Sequence, residues 1–340
     1  MVHDGGMPGM DRLAFTLHNV VTQWVFSPFT LAVDVALVAL AIWYLRADWA
    51  LAARGRRWHG TRTAAFISGL VVVDLALQSS VASFANSYFQ AHVVQHVLLM
   101  VFAPALLALG APSTLLLQTA GRVTKQRWLH VLRSWPFAVL TNPLLVFFLY
   151  FGVMLVFFLT PLVGYSMQHM ALMDLMNVVF LLGGTLFWWP MVGVDPILHW
   201  KMTYPVRMIT LLLGSGLEAF LGVAIMAESR PEAPMYTLAS THAGGALLWV
   251  SVDLVNVAAF VPIFLQWARS EDRAAARFDA RADKEASAAA ASPDGTMAPA
   301  RPRPLTLWEE AWLARRGVVP GYGVPTPDAE VPAGALHDDG

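Results

Sequence analysis

The sequence predicts an all-α polytopic membrane bundle of about seven transmembrane helices, with the amino terminus outside and the carboxyl terminus cytoplasmic. Three observations predict it. Of the 340 residues, 57% are hydrophobic and 13% are charged, where soluble domains carry roughly 25% charge. Seven stretches are each apolar over the ~20 residues that cross a ~30 Å hydrocarbon layer. Basic residues collect in alternate loops.

The chain opens with a segment, 1–27, in which "MDRLAFTLHNVVTQW" reads as a weak amphipathic helix on the outer membrane surface. It lacks the basic start, apolar core and small-residue cleavage site of a signal peptide. The spans follow at about 28–46, 64–83, 91–111, 139–160, 172–192, 207–227 and 242–266, within a membrane domain of 28–267. The link between the first two, "RADWALAARGRRWHGTR", holds five Arg, and "GRVTKQRWLHVLRSW" between the third and fourth holds four basic residues. Lys201 and Arg207 mark the 5–6 link. On the opposite side stand Arg12 and Arg230. Short loops rich in Lys and Arg face the cytoplasm, which fixes the expected orientation and a multi-pass place in the cell membrane. Residues 268–340 form a cytoplasmic tail, helical at first through "ARSEDRAAARFDARADK". It then becomes Ala/Pro/Ser-rich, carries a short amphipathic "LTLWEEAWLARRG", and is largely disordered to its end.

There is no cysteine. Disulfides, thiolate zinc sites, iron–sulfur clusters and thiol chemistry are thereby excluded. The formal net charge of −1 points to no nucleic-acid partner. No P-loop, H-E-x-x-H, G-x-S-x-G or C-x-x-C-H motif occurs. The lipid bilayer is the one partner that composition alone specifies.

Polar residues in such spans carry the information. His92 and His96 are four residues apart at the outer end of span 3, hence on one helical face about 5–6 Å apart at Cβ, with Met100 a turn deeper. Span 5 repeats the theme with His169, Met173 and Asn177. Span 7 opens with His242 and continues on one face to Asp253 and Asn256. Three helices therefore offer imidazoles to one outer pocket, with thioethers beneath. Imidazole with thioether suits copper, Cu(I) above all. The other readings of the pair are a polar structural contact and a proton or partner contact. Asp34, Asp74, Glu218 and Asp253 also fall inside spans. At roughly 2.5–3.5 kcal/mol each at mid-bilayer, such acids face the bundle interior. Gln78 lies a turn from Asp74. Gly214 and Gly222 flank Glu218 and let a neighbouring helix approach. These acids read as packing hydrogen bonds, as a route for a cation or proton, or as paired acid/base groups.

The run "AHVVQHVLLMVFAPALLALGAP", Ala91 to Pro112, resembles the signature of the CtaG-type cytochrome c oxidase assembly factors. His92, Gln95, His96, Leu98, Leu99, Ala103, Pro104, Leu106, Leu107, Gly110, Ala111 and Pro112 match its pattern. "FLLGGTLFWWPMVGVDP" and "HAGGALLWVSVDL" resemble the family's span 5 exit and final span. The resemblance implies a seven-span protein needed to make active haem–copper oxidase. It also implies copper as the bound metal, an oxidase subunit or another assembly factor as partner, and no substrate turnover. The chain departs from the family where "FFLTPL" lacks a histidine, where Met173 and Asn177 replace histidines, and where Ser240-Thr241 replaces Asp-Gln. Two rival readings stay open. A copper or small-cation permease needs a continuous polar path from the cluster through Glu218 and Asp253. A scaffold docks an oxidase subunit without metal.

Overall fold

The computed structural model describes residues 16–195, 200 and 202–290. Among them every regular element is helical. Six helices are long and apolar enough to cross a membrane, and a bent pair makes seven if counted as one span. Of the amphipathic stretch expected over 10–24, the described part forms a short helix, Leu17–Thr22, capped by the Thr16 hydroxyl, which accepts from the Asn19 N–H at 3.2 Å. The part before residue 16, and the tail expected beyond 290, lie outside the described residues.

The first long helix, Pro28–Ala53, starts where local chemistry dictates. The Ser27 hydroxyl accepts from the Thr30 N–H at 3.1 Å and the Thr30 hydroxyl accepts from the Ser27 N–H at 2.9 Å, a capping box with proline at the first helical position. Gly60–Gln78 follows. Where the sequence suggested one span to residue 83, Ser79 is extended and caps a separate short helix, Ser80–Ala85. The third crossing is Phe89–Val97, a π-helical turn Leu98–Phe102, and Ala103–Leu109. Ala111 then takes a left-handed φ of +50° before Pro112–Thr119. Pro104 has no N–H to offer the Met100 carbonyl four residues back, which favours a distorted turn here.

The fourth crossing is shorter than the expected 139–160. Asn142 Oδ1 accepts from the N–H groups of Leu144 and Leu145 and begins Pro143–Leu159. After Thr160 and Pro161 the chain bends by 78° into Leu162–Gln168, because a proline cannot continue the preceding helix. Met170–Val192 ends at Gly193, whose φ of +64° is the left-handed stop that glycine takes without strain. Tyr204–Ala227 and Leu238–Ala290 complete the series. The chain divides into two compact units, Met1–Trp267 and Ala268–Gly340. In the second, the described residues 268–290 are helical.

Within the first unit the main core gathers Phe89, Phe157, Phe158, Phe180, Leu221 and Ile225, all but fully buried. A smaller cluster packs Tyr44 on Phe66 with ring centroids 4.1 Å apart, over Leu51 and Leu115. Val35, Phe148, Leu212 and Leu254 are exposed, as faces turned to lipid must be. Two glycine contacts set helix spacing. A Cβ on Gly184 would meet the Met100 carbonyl, and one on Gly222 would lie 2.8 Å from the Gly245 oxygen, so the backbones touch where small residues permit it.

The two ends of the bundle differ. At one, the Arg54 guanidinium donates to the carbonyls of Gln118 and Thr119 at 3.2 and 3.1 Å. At the other, the Tyr236 hydroxyl donates to the Ala85 carbonyl at 2.7 Å and its oxygen lies 2.9 Å from Met167 Sδ, and its ring lies 6.2 Å from that of His92. We call these the arginine end and the histidine end.

Candidate functional site

The Phe89–Val97 helix is held in place by polar ties at both of its ends. The Ser240 hydroxyl accepts from the Phe89 N–H at 2.8 Å and donates to Gln90 Oε1 at 2.5 Å. Gln95 Nε2 donates to the Ala76 carbonyl at 3.0 Å. The serine that departs from the family pattern thus fixes the start of the histidine helix. The adjoining Thr241, fully buried, accepts from the Glu232 N–H.

On this helix His92 and His96 are 0% and 1% exposed, with their Nε2 atoms 2.9 Å apart. Aromatic rings box them in. Phe180 and Phe157 lie 4.5 and 5.3 Å from His96, and Phe89 and Phe157 stack beside His92. The Nδ1 atom of each ring is buried and has no hydrogen-bond partner among the described residues. An N–H···N bond needs one hydrogen between the two Nε2 atoms. With neutral rings, one Nδ1 then carries a hydrogen and the other a bare lone pair.

Each histidine borders its own cavity. His92 lines one of about 150 Å³ together with Gln95, Met167, Met170, Met173, Asp174 and Asn177. The Asn177 Oδ1 is also buried without a partner. His96 lines a second, of about 10 Å³, with Met100, Tyr150, Met154 and Glu218. That is room for about one water-sized occupant. Glu218 is 2% exposed and accepts from Asn256 Nδ2 at 2.8 Å, and the same nitrogen lies 3.0 Å from the Ser215 hydroxyl.

The structure brings together some of the expected residues and leaves others apart. His92, His96, Met100 and Met173 surround the two cavities. The expected convergence of three imidazoles does not occur. His169, at the start of Met170–Val192, is exposed, lies with its ring centroid 4.2 Å from that of Tyr165 at a tilt of 33°, and its Nδ1 pairs with the Tyr165 carbonyl at 2.9 Å. The bend at Pro161 is the reason, since the short Leu162–Gln168 helix sends Met167 to the cavity instead. His242 pairs through Nε2 with the Glu228 carbonyl at 2.9 Å and lines neither cavity. Among the described residues no three His, Asp or Glu side chains could hold a metal ion together. The donors around the two cavities are imidazole and thioether, with the carboxylates of Asp174 and Glu218 and the amide of Asn177 among them. The imidazole and thioether donors suit a soft ion such as Cu(I).

The remaining intramembrane acids divide. Asp34 and Asp74 both accept from Gln78 Nε2, the latter at 2.8 Å, which ties Pro28–Ala53 to Gly60–Gln78. Asp253 is half-buried on the turn before Asn256. Met154 and Asp174 escaped the sequence reading. Met154 sits in a run of Phe, Leu and Val broken by Tyr150 and Gly152, and its one signal is being the thioether of that helix.

Among the described residues beyond the spans, three groups are perturbed. Burial and then the Glu228 charge push Glu232 up to about 7. Burial, reinforced by Glu232, also raises Tyr236. Burial raises Asp195, against the hydrogen bonds it accepts from Thr114 and Ser113.

A family profile described as cytochrome c oxidase caa3 assembly factor matches residues 42–270. The chain belongs to this family. The matched region contains the histidine pair, the cavity methionines and Glu218. Uncharacterised proteins of Mycobacterium bovis and Mycobacterium tuberculosis are each 30% identical to the chain over 288 residues, covering 79% of it and 43% of their own length. One of Mycobacterium leprae is 28% identical over 283 residues, covering 78% and 43%. The chain thus spans less than half the length of these curated relatives. No solved structure matches it.

Proposed function

We propose that this caa3-type assembly factor lies in the cell membrane with its histidine end outside, and holds copper there for a haem–copper oxidase under construction. One observation carries the reading. A buried imidazole pair, with both Nδ1 atoms unpartnered, borders a cavity lined by Met167, Met170 and Met173. Buried polar atoms ordinarily have partners, and those that lack one point to an ion or water. Imidazole and thioether favour Cu(I), and thioethers disfavour Mg²⁺ or Ca²⁺. The partner is an oxidase subunit or another assembly factor that meets the histidine end. The protein handles copper as cargo and turns over no substrate.

The test is the double variant His92→Gln/His96→Gln, which keeps bulk and polarity but ligates copper weakly. The variant is expected to accumulate in the membrane, to leave oxidase activity low at limiting copper, and to be partly rescued by added copper. Full oxidase activity at limiting copper would remove the copper role and leave a docking scaffold.

A further inference from the structure

The pair touches two cavities. Each ring spends its Nε2 on its neighbour, so Nδ1 is the one nitrogen it has left for the cavity it lines. The small cavity at His96 combines that imidazole with two thioethers, Met100 and Met154, and with the carboxylate of Glu218. No Lys or Arg lines it. A carboxylate alone in a low-dielectric interior is costly, and the cost falls steeply when a single positive charge is buried with it. A soft monovalent ion meets both conditions, since the thioethers ligate it and its charge cancels that of Glu218. A divalent ion would leave a net charge buried.

We infer that the His92–His96 pair is shared by two soft-metal stations. One is the methionine-lined cavity at His92. The other is formed by His96, Met100, Met154 and Glu218. The single hydrogen between the two Nε2 atoms lets one ring at a time act as ligand. When His92 ligates through Nδ1, its Nε2–H donates to His96, and His96 carries its other hydrogen on Nδ1. When His96 ligates, its Nε2–H donates to His92, and His92 Nδ1 carries the hydrogen. The pair keeps two protons on its four nitrogens in both states, so passage of an ion from one station to the other shifts one hydrogen between the Nε2 atoms, gives up the His96 Nδ1 hydrogen to the Glu218 carboxylate in its cavity and takes one up at His92 Nδ1 from the Asp174 carboxyl in the other. The inference rests on the copper reading above.

The test is Cu(I) binding to the purified full chain in detergent, in competition with a chromophoric Cu(I) chelator. The wild type is expected to bind one equivalent. Met170→Leu/Met173→Leu is expected still to bind one equivalent, at least threefold more weakly, because the ion retreats to the second station. Adding Met154→Leu/Glu218→Gln to that variant is expected to abolish binding. No binding by the wild type removes the copper reading itself. One equivalent in the wild type and none in Met170→Leu/Met173→Leu leaves that reading intact and overturns the second station. Two equivalents in the wild type overturn the exclusivity. Retention of one equivalent by the fourfold variant overturns the assignment of both stations. If Met170→Leu/Met173→Leu does not fold, Met170→Gln/Met173→Gln is read instead: one equivalent bound more weakly supports the second station, and no binding overturns it.

Discussion

Asp195 and Thr114 are joined by two hydrogen bonds, and a third ties the same carboxylate to Ser113. One carboxylate oxygen accepts from the Thr114 N–H at 2.7 Å and from its hydroxyl at 2.5 Å, while the other oxygen accepts from the neighbouring Ser113 N–H at 3.0 Å. The carboxylate so caps the Pro112–Thr119 helix from a segment 81 residues further on. Substituting alanine for Asp195 leaves two buried N–H groups without an acceptor, at about 1–3 kcal/mol for the loss. Asp195→Asn, which keeps one acceptor oxygen, is expected to lose less. Thermal unfolding of both variants in one detergent checks the order, and equal midpoints would deny the cap its role.

Glu232 makes the 228–237 segment sensitive to pH. Its folded value, about 7, lies above the ordinary 4.5, so the folded state binds the proton more tightly than the unfolded one. Stability from this group is full below about 4.5 and is lost as pH rises to about 7. Amide exchange in this segment is expected to speed up between pH 5 and 7.5, after correction for intrinsic rates. Glu232→Gln is expected to flatten that rise. A segment whose protection is equal at both pH values would contradict the assignment.

Gly184 and Gly183 provide a matched pair. A Cβ on Gly184 would stand 2.8 Å from both the Met100 carbonyl carbon and Pro104 Cγ, and one on Gly183 meets nothing within 4 Å. Gly184→Ala is expected to destabilise by about 1–3 kcal/mol, as overpacking does, and to lower accumulation in the membrane. Gly183→Ala is expected to be near neutral. Equal yields of the two variants would disprove the backbone contact.

The orientation is open to direct labelling, because the chain has no cysteine. Single cysteines at exposed positions of 54–57 and 122–127 are expected to be shielded from a membrane-impermeant maleimide in intact cells, and one at Arg230 is expected to react. Reaction at 122–127 would invert the bundle and place the histidine end inside.

The number of crossings was legible because apolar run length is set by bilayer thickness, and the pair His92 and His96 because a spacing of four puts two side chains on one face. What eluded the sequence was geometry that depends on breaks. Pro161 could be read as a stop, but not that the following turn would fold back by 78° and exchange His169 for Met167 at the cavity. His242 matched the helical register of its span, yet the carbonyl of Glu228 captures it. Met154 and Asp174 had no periodic partner to mark them. The carboxylates Asp34 and Asp74 were visible as acids in spans and Gln78 as a neighbour of Asp74 one turn away, but that Gln78 also donates to Asp34 became apparent only when two helices were set side by side.

The π-helical turn at Leu98–Phe102 sits directly after the histidine pair. A regular helix advances about 100° per residue, and a π turn absorbs roughly one extra residue without lengthening the bonded column. The histidine half and the Ala-Pro half of this helix are therefore out of angular phase with one another. The lower half is pinned by Gly184 against the Met100 carbonyl, and the upper half is aimed by its aromatic box. Removing one residue from the turn would restore regular winding and leave the aim of His92 and His96 nearly unchanged, whereas rewinding all of Leu98–Phe102 as ordinary α-helix would swing them by about 100° relative to the pinned half, out of both cavities. The bulge works as a fixed angular offset between an anchored shaft and the groups it carries, so the aim of the histidines depends on the winding between Val97 and Ala103 as much as on any side chain in it.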